Sequence, residues 1–293
     1  MDGVFVVNKA EGWTSHDVVG KMRRITGIKR IGHLGTLDPL ATGVLPLVIG
    51  RATRLAQFHV RADKVYTARI RFGFATTTYD RQGEPTSPAV DFSVTREQLD
   101  PLLDRFRGTF DQVPPAVSAK KIDGVPAYKL ARRNIAVELK PVEVTIYALD
   151  LLSCDGAEIE IRVHCSGGTY VRSLAHDLGQ ILGCGAHLTA LRREASGEFQ
   201  LEQARTIPEY EDLARDGRLG EALIPAAQLL PEFPSECVDS ITMAQIRQGR
   251  DFRVSPFRIQ RGSRFVKALS PDGDLLAIGE VKLPNLYHPI LVF

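Results

Sequence analysis

The stretch at residues 32–43, with the sequence GHLGTLDPLATG, constrains the fold of this chain more than any other. Its three glycines allow the backbone to adopt positive φ angles and to approach a ligand closely. Pro39 fixes its own φ at about −65° and disfavours a helical conformation at Asp38. The stretch therefore predicts a rigid loop that presents one carboxylate, with His33 five residues upstream. It is not a phosphate-binding P-loop, because the Gly-Lys-Ser/Thr ending is missing.

Taken alone, an Asp-Pro pair is more typical of a tight turn whose carboxylate caps a neighbouring amide. The complete stretch, however, resembles the catalytic loop of the TruB family of pseudouridine synthases, which isomerise a uridine in the T-loop of tRNA. In that family the aspartate of this loop is the one indispensable catalytic residue. The resemblance therefore implies that Asp38 is catalytic.

A second segment has the alternation of a β-strand. Between residues 64 and 74, apolar side chains occupy every second position, and this pattern makes Tyr66 a core aromatic residue. The segment also resembles the second motif of the family, through Lys64, Val65, Tyr66, Gly73, Thr76, Thr78, Asp80 and Gly83. The resemblance implies that Tyr66 stacks on the extruded target base. A tyrosine at a sheet edge can both pack in the core and stack on a base.

Two more motifs follow in order. A strand over residues 158–164 leads into the sequence CSGGTYVR at 165–172 and then into a helix that reaches about residue 182. This resembles the third family motif, with Gly167 where bacterial members commonly have lysine. The resemblance implies that Arg172 pairs with Asp38 and that Tyr170 lines the uridine site. The sequence AHLTALRR at 186–193 resembles the fourth motif, in which Leu191 packs against the base; Leu191 is equally well explained as a core residue.

Other segments resemble the family with departures. Residues 9–15 resemble its Lys-Pro-x-Gly-x-Thr-Ser opening, with Ala10 in place of proline. Residues 113–149 resemble an inserted RNA-clasping segment, in which Val117, Lys120 and Asn134 replace a usual tyrosine, leucine and glycine. From its place before Asp38, we expect His33 to contact the substrate by filling the space that the flipped base vacates.

The distribution of charge is more informative than the formal net charge of +2. Basic residues form two clusters, Lys21, Arg23, Arg24, Lys29 and Arg30, and then Arg247, Arg250, Arg253, Arg258, Arg261, Arg264 and Lys267. Such runs are more often solvated faces. Two of them together nevertheless favour a surface that binds phosphates.

The composition is that of an ordinary globular protein, with 25% charged and 44% apolar residues. The sequence contains no apolar run long enough to span a membrane and no signal segment, so we expect a cytoplasmic location and no membrane contact. The four cysteines form no CxxC pair and are typical of buried thiols in a reducing cytosol.

We predict an α+β fold: a pseudouridine-synthase-like mixed, mainly antiparallel sheet with flanking helices, followed by a small C-terminal β module. The catalytic domain is expected over residues 1–235, with the insertion at 113–149. A cluster of prolines at 225, 231 and 234 precedes the module at 236–293, which resembles the RNA-binding PUA domain.

The implied reaction breaks the bond between C1′ and N1 of uridine and rebonds the base through C5. It oxidises nothing and adds no group, so we expect no cofactor and no metal. One carboxylate suffices, either as a nucleophile or as a base that removes a sugar proton. We expect the T-arm stem-loop of tRNA as partner, no obligatory protein partner, and a monomer.

Three alternatives remain open to experiment. A zinc nucleobase deaminase also acts on a flipped base, but its His-x-Glu and Pro-Cys-x-x-Cys pattern is absent. A non-catalytic RNA-binding protein is disfavoured by the intact Asp38, Tyr66 and Arg172. A guide-RNA-dependent relative is disfavoured by the long insertion and the lack of a partner-binding tail.

Overall fold

A computed structural model describes residues 1–118, 121–122, 125–126, 139–255 and 263–293. Its strands are β1 (Gly3–Lys9), β2 (Ile31–His33), β3 (Thr42–Ile49), β4 (Lys64–Phe72), β5 (Gly108–Gln112), β6 (Lys121–Ile122), β7 (Val125–Pro126), β8 (Val142–Asp155), β9 (Glu158–Cys165), β10 (Ala186–Ser196), β11 (Phe199–Gln200), β12 (Ile224–Pro225), β13 (Ser235–Cys237), β14 (Phe252–Arg253), β15 (Phe265–Leu269), β16 (Leu275–Leu283) and β17 (Leu286–Val292). Its α-helices are α1 (Ser15–Thr26), α2 (Ala56–His59), α3 (Arg96–Asp104), α4 (Val171–Ile181), α5 (Ile207–Arg215) and α6 (Ser240–Arg247).

Most strands belong to one large sheet with the order β12-β1-β3-β10-β4-β9-β8-β5, in which β2 also pairs with β3 and β11 with β10. Its pairs are antiparallel except for β3 with β10. A second sheet has the order β13-β15-β16-β17-β14. The predicted α+β class with a mixed, mainly antiparallel sheet is confirmed.

Helix α1 begins and ends where its sequence signals predict. Thr14 accepts a hydrogen bond from the Asp17 amide at 3.1 Å, and Asp17 Oδ2 accepts one from the Thr14 amide at 2.9 Å. This reciprocal capping box satisfies two amides that the first turn leaves unpaired. Gly27 closes the helix in the left-handed conformation, with φ 71°. The buried face, which includes Val18 and Met22, packs in the core of the large sheet.

Strand β4 alternates as predicted but ends two residues early. Tyr66, Ala68, Ile70 and Phe72 are buried, whereas the predicted strand continued to Phe74. Gly73 interrupts it with φ 108°, and its amide donates to the Gly185 carbonyl at 3.0 Å. Helix α3 ends at Asp104, and a 3₁₀ helix over Gly50–Leu55 leads into α2.

The two sheets share an apolar core. Val4, Val6 and Val48 of the large sheet belong to the same buried cluster as Ile278 and Leu291 of the second. Lys267 is buried at this contact, and its ammonium donates to the carbonyls of Ala227 at 3.1 Å and Leu229 at 2.8 Å. Its assignment to a phosphate-binding surface is therefore wrong, because a lysine that supports this contact cannot reach a solvent-side phosphate.

Some sequence predictions fall on residues that the structure does not describe, and one differs from what the structure shows. Lys120 and Asn134 of the insertion and Arg258 and Arg261 of the second basic cluster lie outside the described residues. Cys237 is exposed, contrary to the expected burial of all four thiols, while Cys165 is fully buried. The division of the chain at residue 235 stays a prediction. None of the described helices has the length and apolar character needed to cross a membrane.

Candidate active site

The register of the large sheet brings the sequence motifs together. Gly43 of β3 pairs with Arg193 of β10, Arg193 pairs with Tyr66 of β4, and Tyr66 pairs with Val163 of β9. The loop that carries Asp38 enters β3, and β9 leads into the turn before α4. Four motifs that are distant in sequence therefore meet at four adjacent central strands of the sheet.

Two contacts fix the Asp38 loop. The Ser15 hydroxyl accepts from the Leu37 amide at 2.8 Å and donates to the Leu37 carbonyl at 3.1 Å. At the other end, Gly43 has φ 95°, and a Cβ there would lie 2.2 Å from the Arg193 carbonyl oxygen. Only glycine allows this approach between β3 and β10. The loop predicted from its glycines and Pro39 is therefore held at both ends.

Asp38 forms an ion pair with Arg172 across the site. Its Oδ2 lies 2.9 Å from Arg172 Nε, with the carboxylate side chain 38% exposed and the arginine side chain 5% exposed. Arg172 Nη1 donates to the Thr78 carbonyl at 3.0 Å, and Nη2 donates to the Val117 carbonyl at 2.9 Å. Arg172 contacts the carboxylate at one point, through Nε. The guanidinium divides its donors among three partners, which fix its plane.

A second carboxylate, that of Asp80, lies close to Arg172. Its Oδ2 lies 3.8 Å from Arg172 Nη1, and its Oδ1 accepts from the Thr78 hydroxyl at 2.6 Å and the Gln82 amide at 3.0 Å. Asp80 is only 4% exposed. A second carboxylate therefore helps to neutralise the buried Arg172. The second motif of the sequence includes Asp80, but the sequence alone indicates no place for it in the site.

Five of the predicted site residues line one cavity of about 250 Å³. They are Asp38, Tyr66, Tyr170, Arg172 and Leu191. Tyr66 and Leu191 also belong to the buried core of the large sheet, so the core and substrate interpretations hold together for both. Burial raises the pKa of the Tyr66 phenol, which keeps it neutral near pH 7.

The sixth predicted residue lies apart. His33 does not line the cavity; it ends β2, and its ring packs edge-on against His16 with centroids 5.6 Å apart. Burial lowers the pKa of His33, and the neighbouring His16 acts in the same direction. Its expected contact with the substrate stays a prediction.

Family models match most of the chain. The description "TruB family pseudouridylate synthase (N terminal domain)" matches residues 23–171, half of the chain, and "tRNA pseudouridylate synthase B C-terminal domain" matches residues 172–230. The chain belongs to the TruB family. The predicted family membership is thereby confirmed.

Similar proteins agree with the family models. The tRNA pseudouridine synthase B of Solibacter usitatus is 63% identical over the full length of both chains. That of a Dehalococcoides mccartyi strain is 39% identical and covers 100% of this chain and 97% of its own. Among solved structures, a chain of a Cbf5–Nop10–Gar1 complex superposes with a TM-score of 0.72 at 26% identity, covering 99% of this chain and 84% of that one. This superposition supports the fold of the TruB member described here.

Two buried cations support the Asp38 loop of this family member, and sequence analysis assigned neither. Arg193 Nε donates to the Val44 carbonyl at 2.7 Å, and Nη2 donates to the Gly35 carbonyl at 3.0 Å. Lys9 Nζ donates to the carbonyls of Trp13 at 2.7 Å and, more weakly, Pro39 at 3.4 Å. Burial lowers the pKa of Lys9 to about 8, although the Asp38 charge opposes this shift. Strand alternation could have found Arg193, because it shares a face with buried Leu191.

The cavity wall is electropositive. Besides Arg172, the buried side chains of Lys64 and Arg193 line it, and burial together with the Arg193 charge lowers the pKa of Lys64. The wall therefore contains three cationic side chains and one acidic side chain, that of Asp38. Such a wall suits a ligand with negative charge, as a nucleotide has. The described residues contain no group of three or more His, Cys, Asp or Glu side chains placed to hold a metal ion.

We expect Arg193→Met to lower the free energy of unfolding by about 3 kcal/mol, because loop carbonyls lose a charged donor. Arg192→Met is the matched control, since Arg192 precedes it on β10 and is exposed; its effect should stay within about 0.5 kcal/mol. Urea denaturation of both variants measures the difference. Equal effects would show that Arg193 does not support the loop.

Proposed function

We propose that this chain is a tRNA pseudouridine synthase that converts the T-loop uridine at position 55 to pseudouridine. The curated relatives at 63% and 39% identity carry that enzyme name, and the two family models together cover the four motifs. The observation that carries the proposal is the Asp38–Arg172 ion pair at the cavity lined by Tyr66 and Tyr170.

Asp38 is the catalytic carboxylate of this proposal. The ion pair with Arg172 orients the carboxylate, while its 38% exposure leaves it open to a bound nucleoside. Asp38 either attacks the nucleoside covalently or removes a sugar proton, and either route breaks the bond between C1′ and N1. The base then turns and bonds to C1′ through C5. This step releases Asp38 from the covalent adduct or, in the other route, returns the abstracted proton to the sugar. C5 loses its proton and N1 gains one, so uridine and pseudouridine are isomers.

The target uridine must leave its stacked position to reach Asp38. Flipping costs a few kcal/mol, and stacking on an aromatic side chain returns about 1–3 kcal/mol of it. Tyr66 lines the cavity from strand β4 and is the proposed stacking partner. Tyr170 and Leu191 form further parts of the wall, and His33 is proposed to fill the vacated position in the RNA.

We propose that the chain acts in the cytoplasm as a monomer, without an obligatory protein partner, and that the T-arm contains the features it recognises. The superposed structures hold Cbf5 with Nop10 and Gar1, so a partner-dependent enzyme is the second candidate. The full-length match to tRNA pseudouridine synthase B, rather than to a component of such a complex, favours the independent enzyme.

Position-resolved detection of pseudouridine tests this proposal. Unmodified tRNA and an isolated T-arm stem-loop are each incubated with the purified chain. Pseudouridine at position 55 in both RNAs is the expected result. Modification that requires an added protein or guide RNA would support the second candidate, and RNA binding without modification would indicate a non-catalytic protein.

The C-terminal sheet is proposed to bind phosphates of the tRNA beyond the T-arm. Arg247, Arg250 and Arg253 are exposed there, whereas Arg264 pairs with Glu280 at 3.0 Å. Deleting residues 236–293 would expose the core shared with the large sheet, so point variants are the better test.

Replacing Arg247, Arg250 and Arg253 with serine should weaken tRNA binding and make its dependence on salt shallower, by about 2 to 3 in the log–log slope. The saturated rate should stay within about twofold, because phosphate contacts position the RNA without entering the reaction. Salt titrations of affinity measure the slope.

The control for this variant makes the same change of net charge elsewhere, at Arg69, Arg162 and Arg218. These arginines pair with Glu160, Glu194 and Glu221 on the surface. An equal change of slope in both triple variants would show that bulk charge, and not the C-terminal sheet, governs affinity.

A further inference from the structure

The turn that contacts Arg172 contains a strained residue. Tyr79 has φ 64°, a left-handed backbone conformation that a bulky aromatic residue rarely adopts. Such a conformation persists only where the surrounding structure holds it. The Tyr79 carbonyl accepts a hydrogen bond from the Leu188 amide at 3.0 Å. The Arg81 amide, two residues further along the chain, donates to the Leu188 carbonyl at 2.8 Å. The backbone on both sides of Asp80 is therefore tied to strand β10.

The Tyr79 side chain is held by a stacked ring. Its centroid lies 3.8 Å from that of His176, and the two planes differ by 12°. Both side chains are half-buried. His176 lies on α4 four residues after Arg172, so the two side chains leave the helix on the same side. The stack therefore joins the turn to the helix that carries Arg172.

The residues that flank Tyr79 are both partners of Arg172. Thr78 supplies the carbonyl that accepts from Nη1, and Asp80 supplies the carboxylate 3.8 Å from the same nitrogen. We propose that Tyr79 and His176 form a positioning pair: their stack holds the Thr78 carbonyl and the Asp80 carboxylate against Arg172 and so orients Arg172 toward Asp38. Neither ring lines the cavity, so their effect passes through Arg172.

The contact depends on ring shape rather than on hydrogen bonding. His176 Nδ1 is buried without a hydrogen-bond partner in the described structure. Burial lowers the pKa of His176 and raises that of Tyr79, and nearby Asp177 raises the latter further, so both rings are neutral near pH 7. A phenylalanine at either position should preserve the stack.

Two pairs of variants test the positioning pair, which rests on the proposed function for its activity measurement. Tyr79→Gly and His176→Ala remove a ring, and the glycine also relieves the backbone strain. We expect both to lower the single-turnover rate of pseudouridine formation about 10- to 100-fold, because small displacements of reacting groups are costly. The Kd for tRNA should change less than about twofold. Tyr79→Phe and His176→Phe should stay within about threefold of the wild-type rate.

The double variant Tyr79→Gly/His176→Ala should be as slow as the slower single variant, because either change abolishes the same stack. Additive losses would show that the two rings do not act as a unit. Tyr210→Phe is the control for stability alone. Tyr210 lies on α5, and the change removes the buried hydrogen bond that its hydroxyl donates to the Val6 carbonyl of β1 at 2.9 Å. If Tyr210→Phe lost as much rate as Tyr79→Gly and His176→Ala, the loss in those two variants would be due to reduced stability.

A second measurement needs no activity. The Nε–H signal of Arg172 in a ¹H–¹⁵N spectrum, assigned by its loss in Arg172→Lys, reports the environment of the guanidinium. We expect the signal to be protected from exchange in the wild-type protein and both phenylalanine variants, and broadened in Tyr79→Gly and His176→Ala. An unchanged signal in the latter two would overturn the positioning role, even if the wild-type protein modified no tRNA.

Discussion

Asp38→Asn is expected to abolish pseudouridine formation, with a loss of roughly 10⁴-fold or more in the single-turnover rate. A loss of this size is typical of residues that act directly on the reacting atoms. Asparagine keeps the shape of the side chain but has neither the charge nor the basicity that the reaction needs. Because Arg172 retains Asp80 and two carbonyl partners, the fold should persist. Rapid-quench measurement with tRNA gives the rate.

The same variant should bind tRNA within about threefold of the wild-type protein, since one neutralised carboxylate adds no repulsion to the RNA. Its thermal unfolding provides the control for folding. A rate within tenfold of wild type would contradict the catalytic assignment of Asp38.

Arg172→Lys is expected to lower the single-turnover rate by about 10²- to 10³-fold. An ammonium is a compact point charge, so it cannot reach Asp38, the Thr78 carbonyl and the Val117 carbonyl together as the guanidinium does. The variant keeps the positive charge, so the loss reports geometry. Single-turnover rates and tRNA affinity, measured side by side, separate orientation from binding.

Arg69→Lys is a matched control for the arginine-to-lysine change, since Arg69 forms an exposed ion pair with Glu160. It should leave the rate within about twofold. If Arg172→Lys were as active as this control, the Asp38–Arg172 ion pair would not be part of the catalytic arrangement.

The sequence predicts the site best where a local pattern has a single structural solution. The glycines and Pro39 predict the Asp38 loop, and alternation predicts that Tyr66 is buried on β4. Both follow from backbone sterics and strand periodicity, which act over a few residues. The strand ended early because Gly73 turns the chain, a result that depends on its contact with Gly185.

What the sequence could not predict depends on contacts between distant segments. Strand alternation indicates a buried face for Arg193, but the sequence predicts neither its partners nor the burial of Lys9. Loop carbonyls from distant segments surround both cations. Lys267 was assigned to a basic surface because it is charged. Its ammonium instead donates to the carbonyls of residues 227 and 229 inside the protein. The place of Asp80 becomes evident only when Arg172 is brought beside it.

Release of tritium from tRNA labelled at C5 of uridine measures the proposed isomerisation itself. Rebonding through C5 expels the hydrogen at that carbon, so each modified uridine releases one label. The account predicts that the purified chain, without added protein or cofactor, releases one label per tRNA and that Asp38→Asn releases none. No release by the wild-type protein, or equal release by the variant, would contradict it.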